Sequence, residues 1–65
     1  MKITLNGAPA EVQAETLAAA LEELGYGDAK VATALNEAFV PAAARAATPL
    51  SPGDRVEIVS PRQGG

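Results

Sequence analysis

Apolar and polar residues alternate at the start of the chain. The odd-numbered residues of the segment 1–6 are apolar and the even-numbered ones are polar, which predicts a half-buried strand. Asn6-Gly7 comes next, and this pair favours a type I′ turn because both central residues of that turn have positive φ. A second alternation covers residues 10–15. The pattern therefore predicts that the chain opens with a β-hairpin.

The pattern then changes to a helical period. Thr16 is a suitable N-cap, because its hydroxyl can accept from a free first-turn N–H. From Leu17 onward, apolar residues recur at i, i+3, i+4 and i+7, which predicts a helix with one face towards a core. Gly25 is placed to end that helix in a left-handed conformation.

The second half of the chain predicts shorter elements. The apolar run 31–35 has no polar face, so we expect a strand covered on both sides. Residues 36–38 can turn, and residues 39–40 predict a brief strand that ends at Pro41.

Prolines bound the next segment. Residues 42–47 favour helix but lie between Pro41 and Pro49, so we expect one helical turn at most. Leu50 is the expected core anchor of this connection. A turn over residues 51–54 leads to the last strand, residues 55–60.

The predicted order is β-β-α-β-(short β)-β, with no evident internal repeat or linker. This order resembles the β-grasp, or ubiquitin-like, fold, which belongs to the α+β class. The resemblance implies a mixed sheet of four to five strands, with the first and last strands parallel at its centre and one main helix on one face. We expect a β-grasp domain over residues 1–60 and a flexible C-terminal Gly-Gly tail over residues 61–65.

Composition narrows the possible functions. Of the 65 residues 48% are hydrophobic, but fifteen of them are alanine, and the sixteen larger apolar side chains can fill only one thin core. The chain has no Cys and no His, so it lacks a thiolate nucleophile, the usual near-neutral proton shuttle and the commonest metal ligands. We expect no enzyme, no metal site and no bound cofactor.

Charge and hydropathy exclude other partners. The net charge is −3, which disfavours nucleic acid as a partner. No apolar run approaches the roughly 20 residues of a membrane span, so we expect no membrane partner. No charged-then-apolar leader opens the chain, so we expect a cytoplasmic protein.

Candidate chemistry lies after the last strand. Arg62, Gln63 and Gly64 precede a terminal Gly65, and two glycines without Cβ atoms can pass through a narrow channel of a partner. Fully extended, the five residues from Pro61 reach at most roughly 16–18 Å. At neutral pH the terminal carboxylate is ionised and a poor electrophile. We therefore expect a partner to activate Gly65, most simply as a mixed anhydride with AMP.

The chain resembles the bacterial sulfur carriers of thiamine biosynthesis, the ThiS family, over nearly its whole length. The segments that carry the resemblance are residues 3–7, 15–17, 22–25, 34–37, 40–41, 50–59 and 64–65. In one place it departs from the family pattern. The family commonly carries a basic residue just after Val-Pro and an aromatic residue soon after it, where this chain has Ala42-Ala43-Ala44.

The resemblance implies a carrier that is a co-substrate of enzymes. An adenylyltransferase related to ubiquitin-activating enzymes would use ATP to join AMP to Gly65. A sulfur donor, of cysteine desulfurase or rhodanese type, would displace AMP and leave a thiocarboxylate. Thiazole synthase would then take the sulfur.

Other functions remain open. The small subunit of molybdopterin synthase shares the fold and the Gly-Gly end, a ubiquitin-like modifier would join Gly65 to a lysine, and an interaction domain would have an incidental tail. Phe39 and Val59 belong either to the core or to an exposed partner surface. Arg62 could pair with an acidic group at a partner's channel.

Overall fold

The structure, a computed structural model, describes residues 1–27 and 29–60. It contains five strands, one α-helix and one 3₁₀ helix in that part of the chain. Their bounds are β1 Lys2–Leu5, β2 Ala8–Glu11, α1 Leu17–Glu23, β3 Ala32–Leu35, β4 Ala38–Val40, the 3₁₀ helix η1 Ala42–Ala47 and β5 Arg55–Val59.

One mixed sheet contains all five strands, in the order β2-β1-β5-β3-β4. β1 and β5 run parallel at its centre, with Thr4 opposite Arg55 and Leu5 opposite Val56. The other three pairings are antiparallel. The predicted β-grasp fold is confirmed, including its central parallel pair.

α1 begins and ends as its sequence predicts. The Thr16 hydroxyl accepts a hydrogen bond from the backbone N–H of Ala19 at 3.2 Å, which satisfies one free donor of the first turn. At the other end, Gly25 has φ 93°. The N–H of Gly25 donates to Glu22 at 3.2 Å and that of Tyr26 donates to Leu21 at 2.7 Å. These two bonds form a Schellman motif, which needs the left-handed glycine.

The core lies between α1 and one face of the sheet. Its buried apolar members come from β1, α1, β4, β5 and the segments that connect them. They are Ile3, Val12, Leu17, Ala20, Leu21, Val40, Leu50, Val56 and Ile58. Leu50 is buried as predicted. No helix of the described residues packs against the opposite face of the sheet, and we call it the outer face.

The segment η1 is longer than predicted. Six residues form the 3₁₀ helix, so the prediction of one helical turn at most was wrong. Pro41 sits outside the helix at its N-cap, where its missing N–H removes no helical bond. Arg45 also ties η1 to the sheet, because its Nη2 donates to the carbonyl of Val31 at 2.6 Å.

Two strand predictions also need correction. β2 ends at Glu11 rather than at residue 15, because the N–H groups of Gln13 and Ala14 bind the Glu23 carboxylate, each at 3.0 Å, instead of a strand. β3 is not covered on both sides. Its Thr33 is buried in the core, whereas Ala32 is exposed on the outer face.

The two hairpins have the same local form. Asn6 and Gly7 have φ 50° and 84°, as the predicted type I′ turn requires, and Asn36 and Glu37 have φ 51° and 74°. Both turns have the same sequence pattern, Leu-Asn-x-Ala. The hairpins flank β5 on its two sides, so each turn asparagine lies beside that central strand.

Candidate functional site

The candidate site is an apolar patch on the outer face of the sheet. Phe39 is 70% exposed and Val59 is 62% exposed, and they are the exposed large hydrophobic residues of the described chain. An exposed aromatic ring and an exposed branched side chain on one face of a sheet can form part of a contact surface. The structure therefore places Phe39 and Val59 on the protein surface and not in the core, and their role as a partner surface stays a prediction.

The register places these two side chains on the same face. Phe39 pairs with Ala34, and Val59 pairs with Ala32, so small residues of β3 separate them. With strands about 4.8 Å apart and a rise of about 3.3 Å per residue, their Cα atoms lie about 12 Å apart. We call Phe39, Val59, Ala32 and Ala34 the apolar patch.

The rest of the outer face is polar. Glu57 lies beside Ala34, and Arg55 precedes it on the same face of β5. Arg55 Nη1 lies 3.3 Å from Glu37 Oε2, in a pair whose side chains are more than half exposed. Such exposed pairs contribute little to stability. The apolar patch thus has a charged border on one side, as protein interfaces commonly do.

The patch lies beside the start of the predicted tail. Val59 is the last residue of β5, and Pro61 follows it by two positions. The predicted site residues Arg62, Gln63, Gly64 and Gly65 lie outside the described residues. The structure therefore brings together Phe39 and Val59 among the predicted site residues, next to the point where the tail begins.

One residue of this region was missed by the sequence interpretation. Asn6 Oδ1 accepts from the N–H of Ile58 at 2.8 Å, and Asn6 Nδ2 donates to the carbonyl of Ile58 at 3.1 Å. The pair Asn6-Gly7 indicated a turn, and only the neighbouring strand shows that the side chain also binds β5. An asparagine directly after a central strand is the signal that could have suggested it.

Several kinds of site find no support in residues 1–27 and 29–60. No three His, Cys, Asp or Glu side chains come close enough to share a metal ion there. No pocket opens in the same part of the chain. None of its helices combines the length and the apolar character that crossing a bilayer requires. The outer face and the adjoining end of β5 are therefore the candidate functional surface.

Of three comparisons with known proteins, two find similar proteins. A search of curated protein sequences finds no match. Among solved structures, the thiamine biosynthesis protein (ThiS) from Geobacter metallireducens is similar, with 33% sequence identity, a TM-score of 0.83 and full coverage of both chains. The model of the ThiS family matches residues 3–65. Because this match includes nearly every residue, the chain belongs to the ThiS family.

Proposed function

We propose that the chain is a sulfur carrier of thiamine biosynthesis that carries sulfur as a thiocarboxylate on Gly65. The observation that carries the proposal is the family match, which extends from the first strand through Gly64 and Gly65. The similar crystal structure is of a thiamine biosynthesis protein, which supports this pathway over that of molybdopterin. In this role the chain is a co-substrate and not a catalyst.

Activation is the first step of the proposed reaction. A carboxylate oxygen of Gly65 attacks the α-phosphorus of ATP, and pyrophosphate leaves. The product is an acyl-adenylate, a mixed anhydride whose acyl carbon is a good electrophile. The chain has neither Cys nor His to assist this chemistry. A partner of the ubiquitin-activating type therefore supplies the ATP site and the catalytic groups.

Sulfur transfer is the second step. When hydrosulfide attacks the acyl carbon, the carbon–sulfur bond forms, the bond to AMP breaks and the thiocarboxylate remains. In the cell a desulfurase or rhodanese-type donor would hold the sulfur as a persulfide, whose terminal sulfur attacks the acyl carbon as AMP leaves. A second thiol then reduces the resulting acyl disulfide, which releases the thiocarboxylate and leaves a disulfide on the donor side. Thiazole synthase would consume the thiocarboxylate sulfur. Because the chain has no cysteine, the sulfur can reside only on the acyl end.

The apolar patch is the proposed docking surface for these partners. Docking there would bury the Phe39 ring and the Val59 side chain, both of which are now mostly in water. It would also place the end of β5 at the partner's surface. The five residues that follow Ser60 reach at most roughly 16–18 Å, enough to bring Gly65 into an active site.

An intact-mass measurement tests the proposal. The purified chain is incubated with ATP, its adenylating enzyme and sulfide, and the control reaction omits ATP. We expect an ATP-dependent mass gain equal to the replacement of one oxygen by sulfur, located at Gly65 by fragmentation. An unchanged mass with an adenylating enzyme shown to be active would contradict the proposal and favour a non-covalent interaction domain.

A second measurement separates the pathways. The thiocarboxylate form is added to thiazole synthase and, in parallel, to the large subunit of molybdopterin synthase. We expect loss of sulfur only with thiazole synthase. Loss only with the molybdopterin enzyme would assign the chain to the other carrier class, and covalent adducts on lysines of other proteins would indicate a ubiquitin-like modifier.

A further inference from the structure

The side chain of Asn6 extends the central parallel ladder after the backbone of β1 has turned away. The backbone bonds of that ladder run from Thr4 N–H to Asp54 at 2.9 Å and from Asn6 N–H to Val56 at 2.9 Å. In a regular parallel ladder, the next two bonds would come from the carbonyl of residue 6 and the N–H of residue 8. At Asn6, however, the chain enters the hairpin turn with φ 50° and leaves β5.

The amide group of Asn6 supplies both missing bonds. Its Oδ1 accepts from the N–H of Ile58 at 2.8 Å, as the carbonyl of residue 6 would. Its Nδ2 donates to the carbonyl of Ile58 at 3.1 Å, as the N–H of residue 8 would. The Asn6 side chain therefore takes the place of a peptide group and makes the ladder hydrogen bonds to Ile58 on the β1 side of β5.

This pairing matters because of where it lies. On the other side of β5, β3 pairs as far as Val59, whereas on the β1 side the backbone pairing stops at Val56. Without the Asn6 side chain, the residues of β5 after Val56 would make ladder hydrogen bonds only to β3. Val59 ends β5, and the predicted tail begins two residues after it.

We propose that Asn6 is a positioning residue for the modification of Gly65. It fixes the end of β5, so that a carrier docked through the apolar patch directs its tail into the partner's active site. The inference rests on the proposed function. A mispositioned acyl end lowers the productive fraction of docked complexes, because reaction rates depend steeply on the placement of the reacting atom.

Asn36 provides a matched control. It occupies the same position of the same kind of turn, with φ 51°, and it also binds β5 through its side chain. Its Oδ1 accepts from the N–H of Arg55 at 2.9 Å, and its Nδ2 donates to Asp54 Oδ1 at 3.1 Å. These bonds hold the beginning of β5, at the end far from the tail.

The experiment compares Asn6→Gly with Asn36→Gly. Glycine adopts positive φ without strain, so both turns should be retained while the side-chain bonds are lost. ATP–pyrophosphate exchange by the adenylating enzyme is measured as a function of carrier concentration. We expect Asn6→Gly to lower kcat by about three- to tenfold and to leave KM within about twofold, because the docking patch is unchanged.

The expected result for Asn36→Gly is wild-type kcat and KM despite a similar loss of stability. Amide hydrogen exchange supplies a direct readout, in which the Ile58 N–H loses protection in Asn6→Gly and keeps it in Asn36→Gly. A second variant, Asn6→Asp, should keep the hairpin turn, but it replaces the Nδ2 donor by a carboxylate oxygen that faces the Ile58 carbonyl. It should resemble Asn6→Gly.

Three outcomes would overturn the inference. Wild-type kcat in Asn6→Gly would show that the Asn6 side chain does not position the tail, and the proposed function would stand. Equal losses of kcat in Asn6→Gly and Asn36→Gly would assign the effect to stability. Failure of the wild-type chain to be adenylated would overturn the proposed function, and this inference with it.

Discussion

Arg45 donates from Nε to the hydroxyl oxygen of Thr33 at 3.0 Å, and that hydroxyl donates in turn to the carbonyl of Val40 at 2.8 Å. Thr33 is the buried polar residue of the described core, with 2% of its surface exposed. A single hydroxyl thus links η1, β3 and the end of β4. The absence of unsatisfied buried side-chain atoms in the described residues depends on this chain of bonds.

Replacing Thr33 by valine should therefore destabilise the domain. The substitution preserves the shape, but it removes the acceptor for Arg45 Nε and leaves that N–H facing a methyl group. We expect a loss of about 1–3 kcal/mol in the free energy of unfolding. In a domain of this size each 1 kcal/mol lowers Tm by about 4–8 °C. Urea and thermal unfolding measure the change.

Thr4→Val is the control for this substitution. Thr4 lies on β1, on the outer face, and its hydroxyl makes no side-chain hydrogen bond to the described residues. We expect its unfolding free energy to stay within about 0.5 kcal/mol of wild type. If the two valine variants unfold at the same urea concentration, the buried network does not contribute as argued.

A second stability prediction concerns Glu23. Its carboxylate accepts from the backbone N–H groups of Gln13 and Ala14, and so fixes the segment between β2 and α1. We expect Glu23→Ala to cost about 1–2 kcal/mol, because hydrogen bonds to a charged acceptor are stronger than neutral ones. Chemical unfolding gives the value.

The neighbouring Glu22 is the matched control. It is exposed on the same helical turn and accepts no hydrogen bond through its carboxylate within the described residues. A negative charge near a helix C-terminus is slightly unfavourable, so Glu22→Ala should be neutral or slightly stabilising. A loss in Glu22→Ala as large as in Glu23→Ala would contradict the role assigned to Glu23.

A third prediction concerns the proposed chemistry at Gly65. Deleting Gly65, or adding one alanine after it, should abolish sulfur transfer while the unfolding free energy stays within about 0.5 kcal/mol of wild type. The reason is that the acyl carbon must sit at one place in the partner's site, and either change displaces it by one residue. Intact mass after the sulfur-transfer reaction and urea unfolding are the two measurements. Retained transfer in either variant would remove Gly65 as the sulfur-carrying residue.

A fourth prediction concerns docking through the apolar patch. Phe39→Ala should raise the KM of the adenylating enzyme for the carrier by about five- to thirtyfold, because burial of the 70% of Phe39 that is exposed contributes about 1–2 kcal/mol. The kcat should stay near its wild-type value. Since Phe39 is 70% exposed, the domain should remain as stable as wild type.

Lys2→Gln provides the comparison for that measurement. Lys2 is exposed on the same outer face, on β1, near the beginning of β5 rather than its end. We expect its KM to stay within about twofold of wild type. Equal KM values for Phe39→Ala and Lys2→Gln would show that partners do not bind at the patch.

The fold could be predicted largely from local signals. The alternation in residues 1–6, the Asn6-Gly7 turn and the stripe that begins at Leu17 each match their structural period, and they agree with one another. Glu37 is different. Its positive φ of 74° in the second turn is rare for a residue with a long side chain, so its sequence indicates only that some turn forms.

Contacts between distant parts of the chain could not be predicted. Arg45 of η1 bonds to Thr33 of β3 and to Val31 just before it, and the Glu23 carboxylate bonds to the chain just after β2. The side-chain bonds of Asn6 to Ile58 join residues that are 52 positions apart. None of these pairings has a local period, so only the assembled sheet brings them together.

The central position of β5 has a consequence for how the protein is made. The two hairpins lie on opposite sides of this strand, and in the described sheet they are joined through their bonds to Arg55–Val59, the last of the described strands to be synthesised. Closure of such distant contacts makes folding slower than in a helical domain of equal length. A chain cut short before Arg55 would leave β1 and β3 without their central partner, and unpaired strand edges favour aggregation. We therefore expect that the sheet forms only in chains that include β5.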